Sequence, residues 1–268
     1  MTHGPRALTP WAGLLLALYG CTQSVEPRGC TEGLSSQVQD LSCNTGTSDA
    51  PALAGGLTSF VVVWEDSTPG NYEVLLRRST DGGSSFSPTL NVSGTLFNSG
   101  RPSVAIDPAL PSNVYVAWQE ATASPANAPN FSGSPEVRLA RSTNGGANFE
   151  ASLNLSSTTG SSFLPTVIVA LASVYVVWEE SIGGNCDQAT PCAILFRASS
   201  DGVNFGKVVT LSKGQTLNAI GPKIAAHGGK IYAVWMAAST ADCLRAAGNC
   251  EIYFSRSLNN GEIGRAHV

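Results

Sequence analysis

Charge is scarce in this chain. Only 13% of its 268 residues are Asp, Glu, Lys or Arg, and the formal net charge is −4. A chain so sparsely charged and slightly acidic lacks the electrostatic footprint of a nucleic-acid binder. Histidine is scarcer still. His3, His227 and His267 all stand away from the cysteine pairs, so no metal site is expected. No P-loop and no catalytic Gly-x-Ser-x-Gly occurs, and no cofactor is expected. Beyond the N-terminal region there is no long unbroken apolar run of the kind a membrane-spanning helix needs.

What the chain has is turn chemistry. It carries 28 Gly and 15 Pro beside 43% hydrophobic residues, a composition that points to turn-rich all-β structure. One octet, Ser79-Thr80-Asp81-Gly82-Gly83-Ser84-Ser85-Phe86, returns as Ser142 to Phe149 and, one residue shorter, as Ser199 to Phe205. A fourth copy opens at Ser257-Leu258-Asn259-Asn260-Gly261. Asp or Asn can bond nearby backbone amides, and Gly accepts positive φ at little cost, so each octet predicts a tight turn.

The octets punctuate a longer repeat. In its second unit, 102–106, 113–120 and 136–141 predict three strands, the octet follows, and 151–155 predicts a fourth. The third unit has 165–170, 174–180, 193–198 and 208–212. The first has 51–54, 60–65, 72–77 and 89–93, and the last runs from Pro222 through 231–235 and 251–255. Trp64, Trp118, Trp178 and Trp235 mark the second strand of each unit. Runs rich in Val, Ile, Tyr and Trp between Gly, Pro, Ser and Asn are the strand signal. The four Trp are expected in the core between units rather than against a ligand.

The octet resembles the Asp box, S-x-D-x-G-x-x-[WF], of the BNR-repeat β-propellers of the sialidase superfamily, and the resemblance covers 51–261. It implies an all-β chain, a β-propeller of four-stranded antiparallel blades, with about four blades here and six or more in the intact protein. Family members carry an Arg two residues before the Pro of a first-blade [FY]-R-I-P motif. Here Asp49 and Ala50 precede Pro51, Arg101 directly precedes Pro102 in the second unit, and Phe163-Leu164 and Ile220-Gly221 occupy the later places. No complete motif is present, and the family's remaining arginines, Tyr nucleophile and Glu fall largely in later blades.

The two ends carry separate expectations. Residues 1–20 have the basic start and short apolar stretch of a signal peptide. Leu18-Tyr19-Gly20-Cys21 looks like a bacterial lipobox, in which Cys21 is lipidated, implying export to the cell envelope as an outer-membrane lipoprotein, or secretion. Residues 21–50, rich in Ser, Thr and Gly, are expected to be a tether. Seven Cys less Cys21 leaves six, and proximity pairs Cys30 with Cys43, Cys186 with Cys192 and Cys243 with Cys250, although spacing alone does not prove connectivity. Residues 262–268, EIGRAHV, resemble a translated sequencing adapter, so the chain is expected to be a fragment of a longer protein.

In a four-stranded meander the loop after strand 2 and the connection between blades lie at one end, and the octet turns at the other. The loops after strand 2, at 66–71, 121–135, 181–192 and 236–250, are the expected binding loops. Arg101, Glu120, Glu179 and Glu180 stand at that end and are the candidates for catalysis; Glu65 and Asp66 stand with them. Arg to hold a substrate carboxylate and carboxylates for proton transfer is the chemistry a sialidase needs. The plainer expectation is that these acids are solvated strand-end charges. Asp81, Asn144 and Asp201 are expected to staple turns. The leading expectation is an exported, lipid-anchored module that binds glycans or cell-surface proteins. The alternatives are a sialidase-like exo-glycosidase and a purely structural lipoprotein.

Overall fold

The computed structural model describes residues 38–56, 58–123, 133–181, 191–238 and 250–259. The expected signal peptide, Cys21, the tail at 262–268 and most of three binding loops lie outside them. The chain divides into two compact units, Met1–Cys43 and Asn44–Val268. In the first, Asp40 Oδ1 accepts the Cys43 N–H at 3.1 Å and the Ser42 hydroxyl at 3.0 Å. Cys43, Cys192 and Cys250 are disulfide-bonded. Cys30, Cys186 and Cys243 lie outside the described residues, so the pairing remains an expectation.

The described strands of the second unit form four antiparallel sheets in chain order. The first holds β1 (Ser48–Gly55), β2 (Phe60–Asp66), β3 (Glu73–Ser79) and β4 (Leu90–Asn91). The second holds β5 (Ser99–Ile106), β6 (Val114–Glu120), β7 (Glu136–Ser142) and β8 (Leu153–Asn154). The third holds β9 (Ser161–Ala170), β10 (Ser173–Ser181), β11 (Ala193–Ser199) and β12 (Val209–Thr210). The fourth holds β13 (Asn218–His227), β14 (Lys230–Ala238) and β15 (Cys250–Ser257). Each is a meander, and the first strands lie side by side, β1 on β5, β5 on β9 and β9 on β13. The sheets are therefore blades of a β-propeller, as the repeat predicts.

The core lies in the seams between blades. Val61, Val63, Val74 and Leu76 of the first blade meet Val114, Val116 and Trp118 of the second. Tyr115, Ala117, Val137 and Leu139 then meet Val174, Val176 and Trp178 of the third. Tyr175, Val177, Ile194 and Phe196 meet Ile231, Ala233 and Trp235 of the fourth. Alternation along β6 and β10 thus sends Trp118 and Trp178 each to one seam and Tyr115, Ala117, Tyr175 and Val177 to the next, while Trp64 is buried outside these three seams. On the far side of the fourth blade Val234, Ile252 and Phe254 hold the corresponding places and are exposed, Ile252 by 71%.

At one end of the blades the octets form the expected turns. The Ser79 hydroxyl donates to Asp81 Oδ1 at 2.7 Å and accepts the Gly83 N–H at 2.9 Å. Asp81 Oδ1 accepts the Ser85 N–H at 2.9 Å. Ser142 with Asn144 and Ser199 with Asp201 repeat the pattern. The Ser85 hydroxyl and N–H, with Ser79, hold the Asp81 carboxyl down to about 2. A folded-state value below the ordinary one, about 3.9, contributes stability that is present above pH ~4 and lost as pH falls towards ~2. Asp81→Asn, the residue type already at Asn144, should flatten that part of the acid profile of urea midpoints. Profiles that run parallel to the parent's would refute this role.

Candidate functional site

The end opposite the octet turns gathers the starts of the first strands, the ends of the second strands and the starts of the third. There every first strand does the same unusual thing. Its register slips at the residues around a proline: Asp49/Ala52, Gly100/Ser103, Phe163/Thr166 and Ile220/Lys223. The residue before that proline is left-handed in all four blades, with φ 49° at Ala50, 51° at Arg101, 49° at Leu164 and 64° at Gly221. Proline has no N–H to give the ladder and drives its predecessor out of the right-handed α region. For a residue with a Cβ the left-handed region costs about 1–2 kcal/mol, so neighbouring contacts must hold it.

Those contacts come across the seams. Glu65 Oε2 accepts the Arg101 N–H at 2.7 Å. Gln119 Oε1 accepts the Leu164 N–H at 3.2 Å, and Glu179 Oε1 accepts the Gly221 N–H at 2.5 Å. In each case the acceptor is the residue after the core Trp of the preceding blade. In the first blade Asp49 Oδ1 bonds the Ala50 N–H at 2.7 Å. In the fourth blade the residue after Trp235 is Met236, which has no such acceptor.

One residue further along, a second set of acids bonds the Trp itself. Trp64 Nε1 donates to Asp66 Oδ2 at 2.9 Å, Trp118 Nε1 to Glu120 Oε2 at 3.2 Å and Trp178 Nε1 to Glu180 Oε2 at 3.1 Å. Asp66 also takes the Ser48 hydroxyl and the Asn44 amide, both at 2.7 Å. Glu120 takes the Ser99 hydroxyl at 3.4 Å and stands 3.6 Å from Arg138 Nε. Glu180 takes the Ser162 hydroxyl at 2.5 Å and the Thr158 hydroxyl. Burial pushes the Asp66 carboxyl up, but bonds from Thr68, Ser48 and Trp64 outweigh it and leave it below the ordinary range. Burial pushes the Glu179 carboxyl up against the opposing Gly221 N–H and Lys223 charge.

The expectation that these acids are solvated strand-end charges is therefore corrected. Glu65, Asp66, Glu120, Glu179 and Glu180 are all buried. A strand-end position in sequence says nothing about what packs over it, and here the seams and the Trp indoles do. As described, Glu120, Glu179 and Glu180 are bound into the scaffold.

Arg101 is different. It is exposed, its side chain has no hydrogen-bond or ion-pair partner among the described residues, and its backbone N–H is held by Glu65. Leu164, the equivalent residue one blade on, is 41% exposed. Arg101 and Leu164, with exposed Asp49 nearby in the repeat, mark the mouth of the propeller axis. Of the expected binding loops, 66–71 is described: Asp66 and Asn71 are buried, while Thr68, Pro69 and Gly70 are exposed. Sequence reasoning missed the left-handed bulge and its acceptor. The recurring Trp-Glu/Gln pair and the recurring proline were the available signals. No group of His, Cys, Asp and Glu among the described residues could hold a metal ion. No described helix is long and apolar enough to cross a membrane.

No protein-family model and no curated protein matches this chain. Solved structures do. A GH93 α-L-arabinofuranosidase of Fusarium graminearum, in complex with arabinobiose, superposes with TM-score 0.52 at 13% identity, covering 78% of this chain and 62% of its own. A Dyadobacter fermentans protein of unknown function gives 0.56 at 12% identity, covering 81% and 67%. A Trypanosoma rangeli sialidase with 2,3-difluorosialic acid, a covalent intermediate, gives 0.51 at 12% identity, covering 73% and 36%. The chain thus spans about 62% of the length of the arabinofuranosidase. At such identities the likeness is one of fold, and it places this chain among the β-propellers.

Proposed function

We propose that this chain is a glycan-binding β-propeller module acting at the cell envelope, with its ligand taken at the axis mouth. The observation that carries the reading is Arg101: an exposed guanidinium with no side-chain partner among the described residues, on a backbone fixed by a bulge and a buried carboxylate. A guanidinium matches a carboxylate through paired hydrogen bonds, so the ligand class is an acidic sugar. Solved proteins of the same fold hold arabinobiose and a sialic acid derivative, which supports a sugar ligand. Export and a lipid anchor at Cys21 rest on the N-terminal sequence. Cell-surface proteins remain the second partner class.

The exo-glycosidase reading is favoured by the same comparisons, in which an arabinofuranosidase and a sialidase share the fold. Because Glu120, Glu179 and Glu180 are bound into the scaffold, its proton-transfer groups would come from outside the described residues. By resemblance it would be a retaining mechanism with a Tyr nucleophile.

The test is calorimetric titration of the full chain with sialylated, uronic-acid-containing and neutral oligosaccharides. Acidic sugars should bind, and Arg101→Ala should weaken them roughly 10- to 100-fold, the scale of a lost charged hydrogen-bond pair. Silence towards every acidic sugar, or unchanged affinity in Arg101→Ala, overturns the reading. Silence would favour a structural lipoprotein. Turnover of a fluorogenic sialoside or arabinofuranoside would establish the enzyme. Turnover that survived both Arg101→Ala and Glu120→Ala would place its site elsewhere.

A further inference from the structure

We propose that Glu65 is the positioning residue of the mouth: from the first blade it sets the backbone of Arg101 in the second, and so aims the guanidinium. This rests on the reading of Arg101 as the ligand contact. The geometry behind it does not. Arg101 carries a Cβ in a backbone region where glycine is at home, and directly precedes Pro102. Its N–H, inside the register slip between Gly100 and Ser103, donates to Glu65 Oε2 at 2.7 Å. Glu65 is buried, and Arg101 is exposed. The carboxylate is thus fixed in the seam while the arginine it holds faces solvent.

The other blades supply internal controls. Gln119 gives the same bond to Leu164, so the requirement is a hydrogen-bond acceptor at that place rather than a negative charge. Glu179 gives it to Gly221, where no Cβ needs holding. At Ala50, Asp49 provides the acceptor from within the same strand. An acceptor therefore accompanies each of these left-handed residues, and at Arg101 alone does it hold a charged side chain. The residue after the Trp in one blade thereby determines how the side chain before the proline in the next blade is presented.

Two variants of the full chain test this, each read by hydrogen exchange of individual amides and by affinity for an acidic sugar. Glu65→Met installs the residue type that the fourth blade carries at Met236. It should speed exchange of the Arg101 amide roughly 10- to 100-fold, the scale of a lost bond to a charged acceptor, while the Leu164 and Gly221 amides keep their protection. Affinity for the acidic sugar should fall about tenfold, short of the loss in Arg101→Ala. Glu65→Gln should restore both readouts to within about threefold of the parent, because an amide oxygen still accepts. An Arg101 amide that stays protected in Glu65→Met overturns the proposal. So does loss of protection at all three amides together, which would make Glu65 a general support of the fold. Loss in Glu65→Gln overturns it as well. If the parent binds no acidic sugar, the ligand reading fails, and the amide exchange still decides whether Glu65 sets the Arg101 backbone.

Discussion

Trp178→Ala is expected to cost about 3–5 kcal/mol, the range for removing a large aromatic side chain from a packed core. Trp178 is fully buried at the seam of the second and third blades, among Val137, Leu139 and Leu155 on one side and Val176 and Leu195 on its own. The cavity would open in the interface that holds two blades together, where neither blade can close over it alone. The indole N–H is lost with the ring, and Glu180 is left with the Ser162 and Thr158 hydroxyls as donors. Weakening the partner set of a buried carboxylate adds to the cost. Against a typical total of about 5–15 kcal/mol, the variant would sit close to unfolding. Urea denaturation followed by far-UV circular dichroism measures it. A loss below ~1 kcal/mol would mean that the seam is not where the fold is held.

The seams were legible because two signals coincide in every repeat: a Trp at one place on the second strand and Val or Tyr at alternate places beside it. Trp118 and Trp178 are buried where that pattern puts them. Turn residues were legible for a local reason, since Ser79, Asp81 and Gly83 bond within a few residues of one another. The first strands were read too short. Pro102 and Pro165 looked like strand starts, but β5 begins at Ser99 and β9 at Ser161, because pairing continues past the proline through the bulge. The fourth strands were read too long: of 151–155 only Leu153 and Asn154 form the strand, on the outer edge of its blade, with the Leu155 N–H adding one bond to the Val137 carbonyl at 2.8 Å.

The acids at the mouth were illegible for a different reason. The partner of Glu65 is 36 residues away, that of Gln119 is 45 and that of Glu179 is 42, each across a seam. No local pattern encodes such a pairing. The Trp-x-acid spacing behind Glu120 and Glu180 was visible in the sequence, because residues two apart on a strand share a face. It was assigned to solvent because strand ends usually meet water, whereas here the indole N–H needed an acceptor.

Gly202→Ala should be far more costly than Gly82→Ala, although both glycines occupy the same turn of their repeats. Gly82 has φ 73° and open space where a Cβ would stand. Its replacement pays only for the left-handed backbone, about 1–2 kcal/mol. Gly202 has φ 70°, and its Cβ would stand 2.3 Å from the Tyr115 hydroxyl oxygen and 2.6 Å from the ring. Tyr115 belongs to the second blade, is 1% exposed, and packs in the seam with Trp178. It has no room to withdraw, so overpacking adds about 1–3 kcal/mol to the backbone cost. Tyr115→Ala in the Gly202→Ala background should recover part of that second cost, a coupling that distant sites do not show. Thermal or urea unfolding of the four proteins in this cycle measures it. Equal losses for Gly82→Ala and Gly202→Ala would mean that the octet turn of one blade does not seat on the blade before it, and a cycle with no coupling would separate Tyr115 from the turn. The predicted asymmetry follows from the propeller itself: turns built from the same repeat differ in energy according to what a neighbouring blade places beneath them.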